Sequence, residues 1–160
     1  MLIKLDKLFD VKYGINLELN KCTIDKSGIN FVSRTFQNNG VSAKVKKIDN
    51  VDPQPAGTIT VSGGGSTCEA FLQLDEFYSG RDLYVLYPKF KMSVEIGIFY
   101  TMCIRFNKYR FNYGRQANRT LKDLLIPDHK NYDKWVKNSL DHSKKKVSLN
   151  LKIIEEFILL

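Results

Sequence analysis

Between residues 29 and 87 the chain is cut into short β-rich runs by residues that stop strands. Ile29-Asn30-Phe31-Val32-Ser33 follows Ser27-Gly28, and Asn39-Gly40 supplies a turn signal before a strand from Val41 to Ile48. Pro53-Gln54-Pro55-Ala56-Gly57 reads as a loop and Thr58-Ile59-Thr60-Val61 as a short strand, which Ser62-Gly63-Gly64-Gly65-Ser66 breaks. Strand-like runs resume at Ala70–Leu74 and Leu83–Tyr87, with Tyr78-Ser79-Gly80-Arg81-Asp82 as the turn between them. Runs this short, joined this tightly, leave no room for helical crossovers. They argue for a twisted, mainly antiparallel sheet.

Helical spacing appears later. Ser93 can cap a helix with Glu95 in its first turn, and Ile96, Phe99, Tyr100, Cys103 and Ile104 recur at helical intervals to about Asn107. A basic loop follows to Arg119. Leu121, Leu124 and Leu125 suggest a short helix or turn stopped by Pro127, and a helix carrying Trp135, Val136 and Leu140 follows Asn131. Val147, Leu149, Leu151 and Ile153 alternate as in a strand, and the apolar terminus Ile154–Leu160 fits helix or strand. At the other end, Leu2, Leu5, Leu8 and Phe9 fit a short helix, and Ile15, Leu17 and Leu19 alternate. Strands first and helices later give an α+β class. At 160 residues and 43% apolar content, one domain with one sizeable core is expected.

Several classes drop out. No apolar run reaches the ~18 residues of a membrane span, and Met1–Asp10 mixes charge into its apolar stretch as a signal peptide would not. Cys22, Cys68 and Cys103 are far apart from one another and from His129 and His142, so no zinc spacing exists. They are expected as reduced thiols in a cytoplasmic protein.

The formal net charge of +8 suggests an anionic partner, and its placement sharpens the suggestion. Residues 101–122 hold Arg105, Lys108, Arg110, Arg115, Arg119 and Lys122 without an acid, and residues 34–48 hold Arg34, Lys44, Lys46 and Lys47, again without one. Aromatics and amides interleave with the first group from Asn107 to Arg119. Lys and Arg neutralise phosphates; Arg forks onto guanine, and Asn or Gln onto adenine. Such a mixture suits a loop that reads bases as well as backbone. The plainer alternative is a solvated basic loop with its Tyr and Phe tucked into the core.

Chemistry is scarce by comparison. The glycine run lacks both GxxxxGK[ST] and a GxGxxG opening a helix, so it reads as a turn or a place of close backbone approach. His129 has no visible nucleophile beside it, and no Glu-x-Lys follows Pro127-Asp128. No methyl-donor motif is present. The expectation is a binding module that is not an enzyme, with no cofactor and no metal.

Several segments together resemble a known family. Leu5-Asp6-Lys7-Leu8-Phe9-Asp10-Val11-Lys12-Tyr13-Gly14, Ile29–Thr35 through Asn38–Val41, Pro55–Val61 with Gly64–Ser66, Phe77–Leu86, Tyr109–Arg115 and Leu121–Pro127 are similar, in order and spacing, to the target recognition domains of restriction–modification specificity subunits. The resemblance covers about residues 5 to 143. It implies sequence-specific binding to double-stranded DNA, on behalf of a methyltransferase subunit and in some systems a restriction subunit. It departs from the family where no long charged heptad helix is evident after Pro127. Residues 1–130 are then the recognition domain and 131–160 an extension packed on it. A stand-alone subunit, a half subunit that pairs as a homodimer, and a fragment all stay open. The alternative function is an antirestriction or interaction protein that mimics the specificity subunit without reading DNA.

Within that reading Lys44, Lys46, Lys47, Lys108 and Arg119 are expected on phosphates. The bases fall to the loop 107–119: Arg110 and Arg115 as guanine forks, Gln116 and Asn118 for adenine, with Tyr109 and Tyr113 anchoring the loop. Arg115 and Gln116 are preferred to Arg110, which alternates with aromatics. Arg34, Asn38 and Arg81 are secondary candidates.

Overall fold

A computed structural model describes residues 1–111, 117 and 120–158; for residues 131–135, 137, 140, 150 and 152–158 it describes the backbone. The strands are β1 (Leu2–Lys4), β2 (Phe9–Tyr13), β3 (Ile24–Val32), β4 (Val41–Val45), β5 (Thr58–Ser62), β6 (Ala70–Gln73), β7 (Phe77–Ser79), β8 (Leu83–Pro88) and β9 (Leu125–Pro127). The helices are α1 (Leu5–Leu8), α2 (Val94–Phe106) and α3 (His129–Ile158).

The strands form an antiparallel four-stranded sheet in the order β2-β8-β5-β6, a three-stranded sheet β4-β3-β7, and a two-stranded ribbon β1-β9. One pairing, β3 with β7, is parallel; the others between strands are antiparallel. The class is therefore α+β with a mainly antiparallel sheet, as the punctuated sequence requires.

The four-stranded sheet is covered on both faces. Ile59, Val61 and Leu86 pack with Tyr100 and Ile104 of α2 in the main core. On the other face Leu83 and Val85 of β8 meet Val32 of β3 and Phe77 of β7. Double coverage explains why all of β5 is buried, including its hydroxyl side chains. Thr60 satisfies its hydroxyl by accepting from Gln73 Nε2 at 2.9 Å. A third cluster seats Phe31, Val45 and Tyr78 against Ile15, Leu17, Ile48 and Val51.

Helix α2 starts where expected. Ser93 is the N-cap, its hydroxyl accepting from the Ile96 amide, and Glu95 lies in the first turn. Backbone and Ser93 hydrogen bonds hold the Glu95 carboxyl below its usual value. Tyr100 lies in the middle of the helix, fully buried, and its hydroxyl donates to the Pro127 carbonyl at 2.9 Å. That bond ties α2 to β9.

Four local expectations change. Ile15, Leu17 and Leu19 do not form a strand: Asn16 is left-handed at φ 66°, and Leu19 opens a single 3-10 turn. Phe77–Ser79 is a strand, not part of a turn, because β3 pairs with it. Leu125–Pro127 is extended, because β1 pairs with it. The alternating residues 147–153 lie inside α3, a helix of 30 residues, so a long charged helix does follow Pro127. At 1.5 Å per residue it is about 45 Å long.

Candidate nucleic-acid interface

The pairing registers bring distant segments to one edge of the molecule. Tyr13 faces Tyr84 at the end of β2, Ser62 faces Leu83 at the end of β5, and Val61 faces Ala70 at the start of β6. The glycine-rich connection 62–69 and the turn 80–82 therefore lie side by side, joined by the Gly63 amide donating to the Asp82 carbonyl at 2.8 Å. In the second sheet Val32 faces Ser79, so Ser33 and Arg34 emerge beside the same turn. Arg34 Nη1 donates to Asp82 Oδ2 at 2.6 Å.

Helix α2 ends on this rim. Arg105 Nη2 lies 3.0 Å from Glu69 Oε2, and its guanidinium sits 4.5 Å over the Phe71 ring. Lys108 Nζ lies 2.6 Å from Glu69 Oε1. Lys108–Arg110 form a 3-10 turn, so Tyr109 and Phe111 do not alternate as in a strand. Phe111 packs on the main core, whereas Tyr109 is 85% exposed and does not anchor the loop. Phe106, 77% exposed, stands close by in sequence. Ala117 is fully buried, and its amide donates to the Gly63 carbonyl at 3.2 Å.

The candidate residues fall into two groups. Arg34, Arg81, Lys108, Tyr109 and Arg110 belong to the rim. Lys44, Lys46 and Lys47 lie toward the other end of the β3–β4 hairpin, where Lys44 faces Asn30 and the Lys46 amide donates to the Thr23 carbonyl at 2.9 Å. They line a groove of about 650 Å³ with Asp25, Asp75 and Glu76. Asn38 lines an adjoining groove with Lys44. It takes a structural bond, Nδ2 donating to the Val41 carbonyl at 3.0 Å. Tyr113, Arg115, Gln116, Asn118 and Arg119 lie outside the described residues.

The acid-free windows do not stay acid-free once folded. Glu69 and Asp82 come from other segments and pair with Arg105 and Lys108, and with Arg34, respectively, while outside both windows Glu18 pairs with Arg81. Lys21 first, and then Arg81, hold the Glu18 carboxyl below its usual value. Sequence reasoning missed Tyr13, Glu69 and Asp82. No local signal marks them, since Tyr13 and Asp82 meet across 69 residues.

No curated protein sequence matches the chain. Among solved structures, the HsdS subunit from Thermoanaerobacter tengcongensis is similar over 93% of this chain and 38% of its own, at 12% identity and a TM-score of 0.68. The S subunit of a type I restriction-modification system from M. genitalium is similar over 92% of this chain and 41% of its own, at 16% identity and a TM-score of 0.59. A chain from a study of complex assembly and conformational transition of the type I R-M system matches over 93% of this chain and 39% of its own, at 14% identity and a TM-score of 0.69. The chain thus spans about two-fifths of the length of these proteins, and at such identities the likeness is one of fold. A family model, the type I restriction modification DNA specificity domain, matches residues 1–127. The chain belongs to that family of DNA specificity domains.

Proposed function

We propose that this chain is a sequence-reading unit for double-stranded DNA, which directs a methyltransferase subunit, and with it a restriction subunit, to a target site. The observation that carries the proposal is the rim. One edge of a specificity-domain fold gathers Arg34, Arg81, Arg105, Lys108 and Arg110 from three separate parts of the chain. An exposed Tyr109 stands among them. Lys44, Lys46, Lys47, Lys108 and Arg119 are assigned to phosphates. Arg34, Arg81 and the loop 107–119, including Arg110, Arg115, Gln116 and Asn118, are assigned to bases, with Asn38, Tyr109 and Tyr113 in support. The chain performs no chemistry of its own in this scheme and works in the cytoplasm. Among the described residues no helix is long and apolar enough to cross a membrane.

Residues 1–130 form the recognition unit in this proposal, and 131–160 an extension whose first part packs on it. Val136 is buried in the main core, and Lys144 Nζ lies 3.7 Å from Glu95 Oε1. Further along α3, Val147, Leu149 and Leu151 are exposed. Val147 and Leu151, one turn apart, share a face of α3 that suits a second helix, and a homodimer of two such chains would supply it.

A gel shift with random-sequence duplexes at rising salt tests the proposal. Binding should weaken steeply with salt, with a logarithmic slope near −0.9 per phosphate contact. A chain that leaves duplexes unshifted at low salt yet captures the methyltransferase subunit would be a mimic of a specificity subunit.

A further inference from the structure

We infer that Asp82 and Tyr13 are positioning residues that hold Arg34 as a fixed guanine-reading fork. The inference rests on the duplex-binding proposal and adds Asp82 and Tyr13, which were not among its candidate residues. Asp82 is held from three sides. Its Oδ1 accepts from the Tyr13 hydroxyl at 3.0 Å, its own amide donates to Tyr13 Oη at 2.9 Å, and its carbonyl accepts from Gly63. Its backbone is left-handed, at φ 53°. The Tyr13 ring stands edge-on to Tyr84 with centroids 5.3 Å apart. The remaining carboxylate oxygen, Oδ2, takes Arg34 Nη1.

A guanidinium carries five N–H donors in a rigid plane. Asp82 occupies the Nη1 end of Arg34. Among the described residues nothing takes the side edge, Nε–H and one Nη2–H, which presents a pair of parallel donors, the geometry that matches N7 and O6 of guanine. Beside the arginine, Gly65 has a φ of 66°, and a Cβ there would come within 3.9 Å of Arg34 Cβ and Cδ. That is ordinary van der Waals contact, so the left-handed backbone rather than space favours glycine at this position. Charge separates the two uses of such an arginine. A carboxylate 2.6 Å from the guanidinium repels a phosphate, so it is a poor companion for a backbone contact. For a base contact it costs little and fixes the plane of the fork.

The test uses the whole chain and a pool of duplexes with a randomised core, sequencing the bound fraction. The wild type is expected to enrich a motif with an essential guanine. Arg34→Lys and Asp82→Ala should each lower the preference for that one guanine by roughly 5- to 150-fold, the range of a lost bidentate contact. Asp82→Asn, which keeps one acceptor oxygen, and Tyr13→Phe should lower it less. A guanine-free poly(dA-dT) duplex should bind Asp82→Ala as well as wild type or better. Thermal melting identifies a variant that fails to fold, and Tyr13→Phe, which removes one oxygen, then decides. A motif without guanine, an unchanged preference in the Asp82 variants, or equal losses on every duplex overturns the inference alone. Failure of the wild type to bind duplexes, or binding without any sequence preference, overturns the functional proposal together with it.

Discussion

Glu69 shows how one residue can set the balance between folding and binding. Its side chain is 12% exposed, and its two oxygens hold Arg105 and Lys108, two cations that would otherwise face solvent at the rim. Glu69→Gln should release part of that charge. Affinity for random duplex should rise, and the salt slope should steepen by roughly one unit per phosphate contact recovered. Fluorescence titrations at several salt concentrations measure this, and an unchanged or shallower slope would remove Lys108 and Arg105 from the interface. The cysteines make a second residue-scale case. Burial pushes the Cys68 thiol up to about 12 and the Cys103 thiol up to about 11. At pH 8 both stay protonated, so a thiol-exchange reagent should modify them far more slowly in the native chain than in urea. Labelling of either at the unfolded rate would contradict its burial.

At the scale of elements, a glycine shapes the hairpin that carries the Lys44–Lys47 group. Ile24 and Ile29 both pair with Val45, so residues 25–28 bulge out of β3, stiffened by Asp25 Oδ1 accepting from the Ser27 amide at 3.0 Å. A Cβ at Gly28 would collide with the Val45 carbonyl, which is backbone and cannot swing away. Gly28→Ala should destabilise the chain by about 1–3 kcal/mol, the usual cost of overpacking. Urea unfolding measures it; an unchanged midpoint would mean that the bulge yields freely. Elements that carry their own start and stop signals were legible in the sequence. These include β5 between Pro55-Ala56-Gly57 and the glycine run, and α2 behind Ser93. Strands β7 and β9 have three residues each and exist because β3 and β1 pair with them. No window of sequence contains that information. The alternation at Val147–Ile153 misled for a related reason. Four apolar residues in seven satisfy a two-residue period, yet the segment belongs to one long helix.

For the molecule as a whole, the family and the basic character were readable from ordered blocks and charge windows, while the arrangement of the charge was not. The windows looked acid-free because the neutralising residues, Glu69 and Asp82, lie in other parts of the chain and arrive through sheet pairing. Folding also divides the candidates between a rim and a groove, a division invisible along the sequence. The rim is proposed as the face that meets DNA. Backbone amide shifts of the whole chain, recorded while a duplex is titrated in, test it most directly. The largest shifts are expected at Arg34, Gly63–Glu69, Gly80–Asp82 and Arg105–Phe111, smaller ones at Lys44–Lys47, and none along β1 and β9. Shifts concentrated on β1, β9 and the start of α3, with the rim unmoved, would contradict it.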